Sequence, residues 1–153
     1  MKLFDIWQWQ QGEIPDEMCD CIVNSIDDTL YQKGTTGNNN KLLARNVNIQ
    51  FINSTWINAL LNGYIRFANC LNFHYDLSNE DKEAVQISKY SEGEYYKMHM
   101  DFGKGSHLTR KLSLTVQLSD ENDYEGGDLI LYNGSIKDQS SRGKGSIVVF
   151  DSR

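Results

Sequence analysis

Proline is almost missing from this chain: there is one, Pro15, in 153 residues. The turns must therefore be built from Asn, Gly, Ser and Asp, and no proline-rich linker divides the sequence. Cysteine is also scarce. Three residues, two of them in Cys19-Asp20-Cys21, make no disulfide framework, and an isolated Cys-x-Cys with no second ligand pair is a poor zinc site. No apolar run approaches the roughly 18 residues of a membrane span. Met1-Lys2-Leu3-Phe4-Asp5 is too short and polar to open a secretory signal, so the expected location is the cytoplasm. Basic charge is in deficit, with 15 Lys and Arg against 21 Asp and Glu and a net charge of −6. That balance argues against a nucleic-acid partner, which needs a basic footprint.

What is present fits one domain, 1–153, in two textures. Residues 1–83 read as strand and helix support. Leu3 to Gln10 alternates loosely and predicts a strand in which Trp7 and Trp9 pack into a core. Pro15 followed by Asp16 and Glu17 starts a helix, and Met18, Ile22, Ile26 and Leu30 carry it to about Tyr31. Lys33 to Lys41 has no apolar residue and reads as a loop. Asn46 to Phe51 alternates as a strand. Ser54 or Thr55 caps a second helix with Trp56, Leu60, Tyr64 and Phe67 on one face. A loop covers Asp76 to Glu83. From residue 84 the pattern turns to short strands at 85–90, 94–101, 111–119, 128–132 and 146–150. Helices followed by several strands predict an α+β jelly roll with N-terminal supporting helices. The acidic stretch Asp120 to Asp128 does not have EF-hand spacing and reads as a solvated hairpin.

The chemistry concentrates at His99-Met100-Asp101. On a strand, residues two apart share a face, so imidazole and carboxylate converge while Met98 and Met100 turn away. That pair is two-thirds of the two-His-one-carboxylate set that suits non-haem Fe(II). Around it stand Tyr90-Ser91-Glu92-Gly93-Glu94-Tyr95-Tyr96-Lys97-Met98-His99-Met100-Asp101, then Arg110 and the apolar strand Lys111 to Ser119. Glu125-Gly126-Gly127-Asp128-Leu129 and Gly145-Ser146-Ile147-Val148-Val149-Phe150 follow. Strand parity alone puts Tyr95 on the His99 face, with Tyr96 there only if a bulge or turn intervenes.

This ordered set resembles the 2-oxoglutarate and Fe(II)-dependent dioxygenases of the prolyl 4-hydroxylase type, over about 84–150 by motif and more weakly before it. The resemblance implies a double-stranded β-helix, a cupin-like jelly roll, and a role for each matching position. His99 and Asp101 would ligate Fe(II). Tyr90 and Tyr96 would line the 2-oxoglutarate pocket, Tyr96 also meeting substrate. Arg110 would touch the peptide substrate. Gln117 stands where relatives often carry a tyrosine against the 2-oxoglutarate carboxylate, and Leu129 would pack on the co-substrate chain. Phe102 to Thr109, with Gly103 and Gly105, would form a lid. The implied reaction is hydroxylation of a prolyl residue in a peptide or protein. It is coupled to oxidative decarboxylation of 2-oxoglutarate to succinate and CO2, with O2 consumed and L-ascorbate as a further candidate cofactor.

The resemblance also calls for a second histidine past Phe150, a basic residue beyond it, and a closing strand. The sequence instead runs Phe150-Asp151-Ser152-Arg153. His107, in the lid segment, and His74, near the end of helix two, are the other histidines and poor substitutes, because facial geometry wants a ligand from a different strand. Three alternatives stand open. The chain is a truncated dioxygenase, which the stop inside the motif favours. It is a metal-free binding module on the same fold. Or it is an incomplete fragment that dimerises through an open sheet edge.

Overall fold

Among the described residues, short strands and one shorter helix assemble around a single longer helix. The computed structural model describes residues 6–10, 12–34, 44–77, 83–102, 109–133 and 136–153. The strands are β1 (Ile6–Trp9), β2 (Gln32–Lys33), β3 (Arg45–Asn46), β4 (Asn48–Ile52), β5 (Val85–Lys89), β6 (Tyr95–Tyr96), β7 (Leu112–Val116), β8 (Ile130–Asn133), β9 (Ile136–Gln139) and β10 (Ile147–Asp151). The helices are α1 (Asp16–Asn24) and α2 (Thr55–Ala68), with a 3-10 turn at Asp28–Leu30 and a π-turn at Asn69–Phe73. All described strand pairs are antiparallel. They form sheets ordered β1-β10-β7 and β2-β4-β5, plus the pairs β3-β6 and β8-β9.

β10 is the central strand of its sheet, and Ile147, Val148 and Val149 are all buried. A continuous apolar run is what a strand covered on both faces requires. The turn before it sits hard against the chain at Gly12–Ile14. Ile14 N–H donates to the Gly145 carbonyl at 3.0 Å, and a Cβ on Gly145, where φ is +77°, would fall 2.1 Å from the Ile14 carbonyl oxygen. Only glycine fits there.

α2 runs beneath both three-stranded sheets. Ile57 and Leu61 pack with Ile22 and Ile87 at one end, Leu60 and Tyr64 with Ile14, Cys19 and Ile147 in the middle, and Ile65 and Ala68 with Phe73, Leu112 and Val149 at the other. Trp7 and Trp9 join this core as expected. The buried face of α2 differs from the expected one: Trp56 and Phe67 are 43% and 53% exposed, while Ile57 and Ala68 are buried. The stripe is rotated because α2 meets two sheets at once, and the broad aromatic rings fit the rim better than the seam.

Four further expectations are corrected. The first helix stops at Asn24, not Tyr31: Ser25 Oγ donates to the Ile22 carbonyl at 2.7 Å, and Asp27 caps a separate 3-10 turn through Thr29 N–H at 2.9 Å. The strand expected at 46–51 is two strands, β3 and β4, broken at the fully buried Val47. The strand expected at 94–101 is only Tyr95–Tyr96, and the chain turns before His99. Lys33, expected in a loop, belongs to β2. His74 terminates the π-turn with φ +57°, its N–H on the Asn69 carbonyl at 2.8 Å, and it is exposed. The expected lid at 102–109, with His107, falls outside the described residues except for its ends, Phe102 and Thr109.

Candidate metal and 2-oxo-acid site

β6 carries the site, and its partner is β3. Arg45 lies opposite Tyr96 and Asn46 opposite Tyr95, and Lys97 N–H extends the ladder to the Ala44 carbonyl at 2.9 Å. The turn entering β6 is held by Glu94, whose carboxylate accepts from Ser91 N–H at 2.9 Å and from Asn48 Nδ2 at 3.1 Å and forms an ion pair with Lys33. After Tyr96 the chain leaves the ladder, so His99 and Asp101 converge through a turn and not through strand parity. Met98 and Met100 project outward, 70% and 69% exposed.

The turn orients both side chains. His99 Nδ1 lies 2.7 Å from the Lys97 carbonyl, which can only accept, so Nδ1 carries a proton. That leaves Nε2 directed at Asp101 Oδ1, 3.1 Å away. Tyr96 is the tyrosine on this face: its ring stacks on His99 at 3.5 Å and 14°. Burial works against charge on His99, but the bonds to Asp101 and to the Lys97 carbonyl hold its pKa above the usual value. Burial likewise works against the Asp101 carboxylate, and the bonds from His99 and Ser113 hold it below. Imidazole nitrogen and carboxylate oxygen, the two atoms that face each other here, are both of the types that ligate metal ions.

β7 supplies the floor. Leu112, Leu114 and Val116 face the core, so Ser113 and Gln117 share the opposite face. Ser113 is buried, with its hydroxyl 2.9 Å from that of Ser152 and near enough to Asp101 to help hold its carboxyl pKa down. Gln117 Nε2 donates to the Tyr124 hydroxyl at 3.0 Å. Arg110 clamps the backbone of the site, with Nη1 donating to the Asp101 carbonyl at 3.1 Å while Glu83 holds its other edge. His99, Asp101, Tyr96 and Arg110 therefore form one cluster. Tyr90, Gln117 and Leu129 line the same trough of about 4260 Å³ without touching the pair in the described contacts. That volume is several times that of a pocket for one small molecule.

Sequence reasoning missed two elements. Arg45, 7% exposed, places its guanidinium carbon 4.5 Å from the Tyr96 ring centroid. Ser152 accepts Phe102 N–H on its carbonyl at 2.7 Å and pairs with Ser113 through its hydroxyl. Neither has a local signal, since Arg45 only precedes an alternating stretch and Ser152 follows one.

The chemistry of the donor set suits a divalent metal such as Fe(II). One imidazole nitrogen, oriented by a carbonyl on its other nitrogen, and one carboxylate oxygen 3.1 Å from it fit adjacent positions on a single metal ion. Among the described residues no group of three or more His, Cys, Asp or Glu converges. No described helix is long and apolar enough to cross a membrane.

Comparison with known proteins bears on the family and the fold. Residues 85–153 match the 2OG-Fe(II) oxygenase superfamily. A PKHD-type hydroxylase of Idiomarina loihiensis is 35% identical over 68 residues, 44% of this chain and 31% of that protein. A PKHD-type hydroxylase of Synechococcus is 37% identical over 70 residues, 45% of this chain and 32% of that protein. The matches thus span about a third of each curated relative. The crystal structure of a Pseudomonas putida prolyl-4-hydroxylase superposes with a TM-score of 0.75, covering 97% of this chain and 81% of that one at 17% identity. The fold is accordingly that of the prolyl-4-hydroxylase jelly roll, with mixed helices and antiparallel sheets. The resemblance read from the ordered motifs is borne out.

Proposed function

We propose, from the premise that residues 85–153 belong to the 2OG-Fe(II) oxygenase superfamily, that this protein is a 2-oxoglutarate-dependent dioxygenase that hydroxylates a prolyl residue in a peptide or protein. The observation that carries the reading is the pairing of His99 Nε2 and Asp101 Oδ1 at 3.1 Å, with each side chain independently oriented. His99 and Asp101 would hold Fe(II), which supplies the O2 chemistry coupled to 2-oxoglutarate decarboxylation. The chain's own residues do the rest. The Lys97 carbonyl keeps the His99 tautomer, Ser113 and Arg110 hold Asp101 by side chain and backbone, and Tyr96 covers the imidazole and keeps water from that face. Tyr90, Gln117 and Leu129 take the co-substrate side of the trough in this reading, and Arg110 with Tyr96 the substrate side.

The trough is bounded by the edges of β5 and β7 that have no strand partner among the described residues.

The test is anaerobic titration with Fe(II) and 2-oxoglutarate, followed by the visible metal-to-ligand charge-transfer band. A saturable band near one equivalent that is lost in His99→Ala supports the site, and a band surviving in His99→Ala refutes it. Proline-containing peptides incubated with O2 should then gain one oxygen atom by mass spectrometry.

A further inference from the structure

The peptide unit between Asp101 and Phe102 is held at both of its polar groups. Its carbonyl accepts from Arg110 Nη1 at 3.1 Å, and its N–H donates to the Ser152 carbonyl at 2.7 Å. A peptide unit is planar, so holding both groups fixes its plane and anchors the Asp101 Cα from which the carboxylate projects. Ser152 is 2% exposed, and its other polar groups are engaged as well. Its N–H donates to the Lys111 carbonyl at 3.1 Å, and its hydroxyl pairs with that of Ser113 at 2.9 Å. The placement of Asp101 therefore depends on how the chain leaving β10 is rolled about its own axis.

That roll is set from outside the site, by Tyr75. Residues two apart in an extended chain share a face, so Asp151 and Arg153 project to the side opposite Ser152. Both meet the Tyr75 hydroxyl, which donates to Asp151 Oδ2 and accepts from Arg153 Nη2 at 2.7 Å. Arg153 Nε closes the triangle on Asp151 Oδ1 at 3.1 Å. Tyr75 is itself fixed. Asn69 Oδ1 accepts its N–H and Asn69 Nδ2 donates to its carbonyl, both at 2.8 Å. Its ring stacks on Phe73, with centroids 6.2 Å apart and planes at 22°. The next residue, Asp76, accepts Lys111 Nζ on its carbonyl. The segment after the π-turn thus grips the end of β10 and the chain entering β7 together.

We propose that Tyr75 is a positioning residue for the metal site: through Asp151 and Arg153 it sets the roll of Ser152, and through the Ser152 carbonyl it holds the peptide that places Asp101. The proposal rests on the dioxygenase reading, in which Asp101 is a metal ligand. Tyr75→Phe isolates the effect. It removes only the hydroxyl and leaves the ring against Phe73, in the core it shares with Leu112 and Val149.

The experiment compares Tyr75→Phe with Tyr64→Phe, which loses a bond to Glu13 at 3.1 Å in another part of the molecule. The readouts are amide hydrogen exchange of the metal-free protein and Mn(II) affinity by calorimetry. In Tyr75→Phe the Phe102 amide should exchange about tenfold faster through local opening, while Val149, in the central strand, shifts no more than global unfolding does. Mn(II) affinity should fall about tenfold, the lower end for losing support behind a metal ligand. Tyr64→Phe should leave both readouts unchanged. Asp151→Ala, which removes the carboxylate partner of the same hydroxyl, should reproduce the Tyr75→Phe result and gives a second route if that variant folds poorly. A Phe102 amide that exchanges as in the wild type overturns the proposal. Faster exchange spread equally over Phe102 and Val149 also overturns it, and makes the Tyr75 hydroxyl a fastening of the fold alone. Faster exchange at Phe102 with undiminished Mn(II) affinity overturns it too. If the wild type binds no Mn(II), the dioxygenase reading fails and the proposal with it.

Discussion

The hydroxyl of Ser152 lies 2.9 Å from that of Ser113, so the chain leaving β10 is tied to β7 directly beneath Asp101. The Ser152 carbonyl also accepts Phe102 N–H at 2.7 Å. One serine pair thus couples the central strand to the residue that follows Asp101, the carboxylate proposed to hold the metal. Ser113→Ala removes a donor from Asp101 and leaves Ser152 unpaired. Divalent-metal affinity should fall by about tenfold, the lower end for loss of a supporting bond behind a ligand, with the fold retained. Titration with Mn(II) or Co(II) checks this. An unchanged affinity would mean that Arg110 and His99 alone orient the carboxylate.

The rotated face of α2 has a direct energetic consequence. Ile57 is 2% exposed and contacts Ile22 and Ile87. Ile57→Ala should cost about 2–5 kcal/mol of unfolding free energy, the usual range for truncating a buried aliphatic side chain. Trp56→Ala, at a position 43% exposed, should cost much less despite the larger side chain. Urea denaturation of both variants decides between this face and the one expected from helical spacing.

Gly145→Ala combines backbone strain with a collision. Its φ is +77° and the new Cβ would meet the Ile14 carbonyl oxygen at 2.1 Å. The turn must move away from the Gly12–Ile14 segment, breaking the bond from Ile14 N–H. A loss of about 1–3 kcal/mol is expected from the strained conformation, with more from the displaced turn. Gly63→Ala serves as the control, since nothing lies within 4 Å of a Cβ there. Placed inside α2, that change should be neutral or stabilising.

Asp151 gives the acid limb of the stability curve a definite sign. Burial would raise its pKa, but bonds from Arg153 and Tyr75 hold it below the ordinary 3.8. A carboxyl depressed in the folded state contributes stability above its unfolded pKa and loses it as pH falls through the lower folded value. The stability gap between wild type and Asp151→Asn should therefore be constant from neutral pH down to about the ordinary carboxyl range and close below it. Equilibrium unfolding at a series of pH values measures this. A gap that persists at the lowest pH would assign Asp151 a packing role.

The adjacent His and Asp, the tyrosines before them, the strand alternation of β4, β5 and β7 and the start of both helices are written in local spacing. Such features depend on residues a few positions apart, whose relative faces are set by helix and strand periods. The convergence of His99 and Asp101 was legible for the same reason, although the route is a turn and not a strand. Three things were not legible in local spacing: the end of α1 at Asn24, the choice of Tyr96 over Tyr95 for the His99 face, to which only the family resemblance pointed, and the arrival of Arg45 behind it. The first is set by Ser25 and Asp27 drawing backbone groups away from the helix, a competition that apolar spacing does not register. The others depend on β3 pairing with β6 across about fifty residues of intervening chain. Register between distant strands follows from how the core closes on α2. No local pattern records which arginine will be buried against the Tyr96 ring once it has closed.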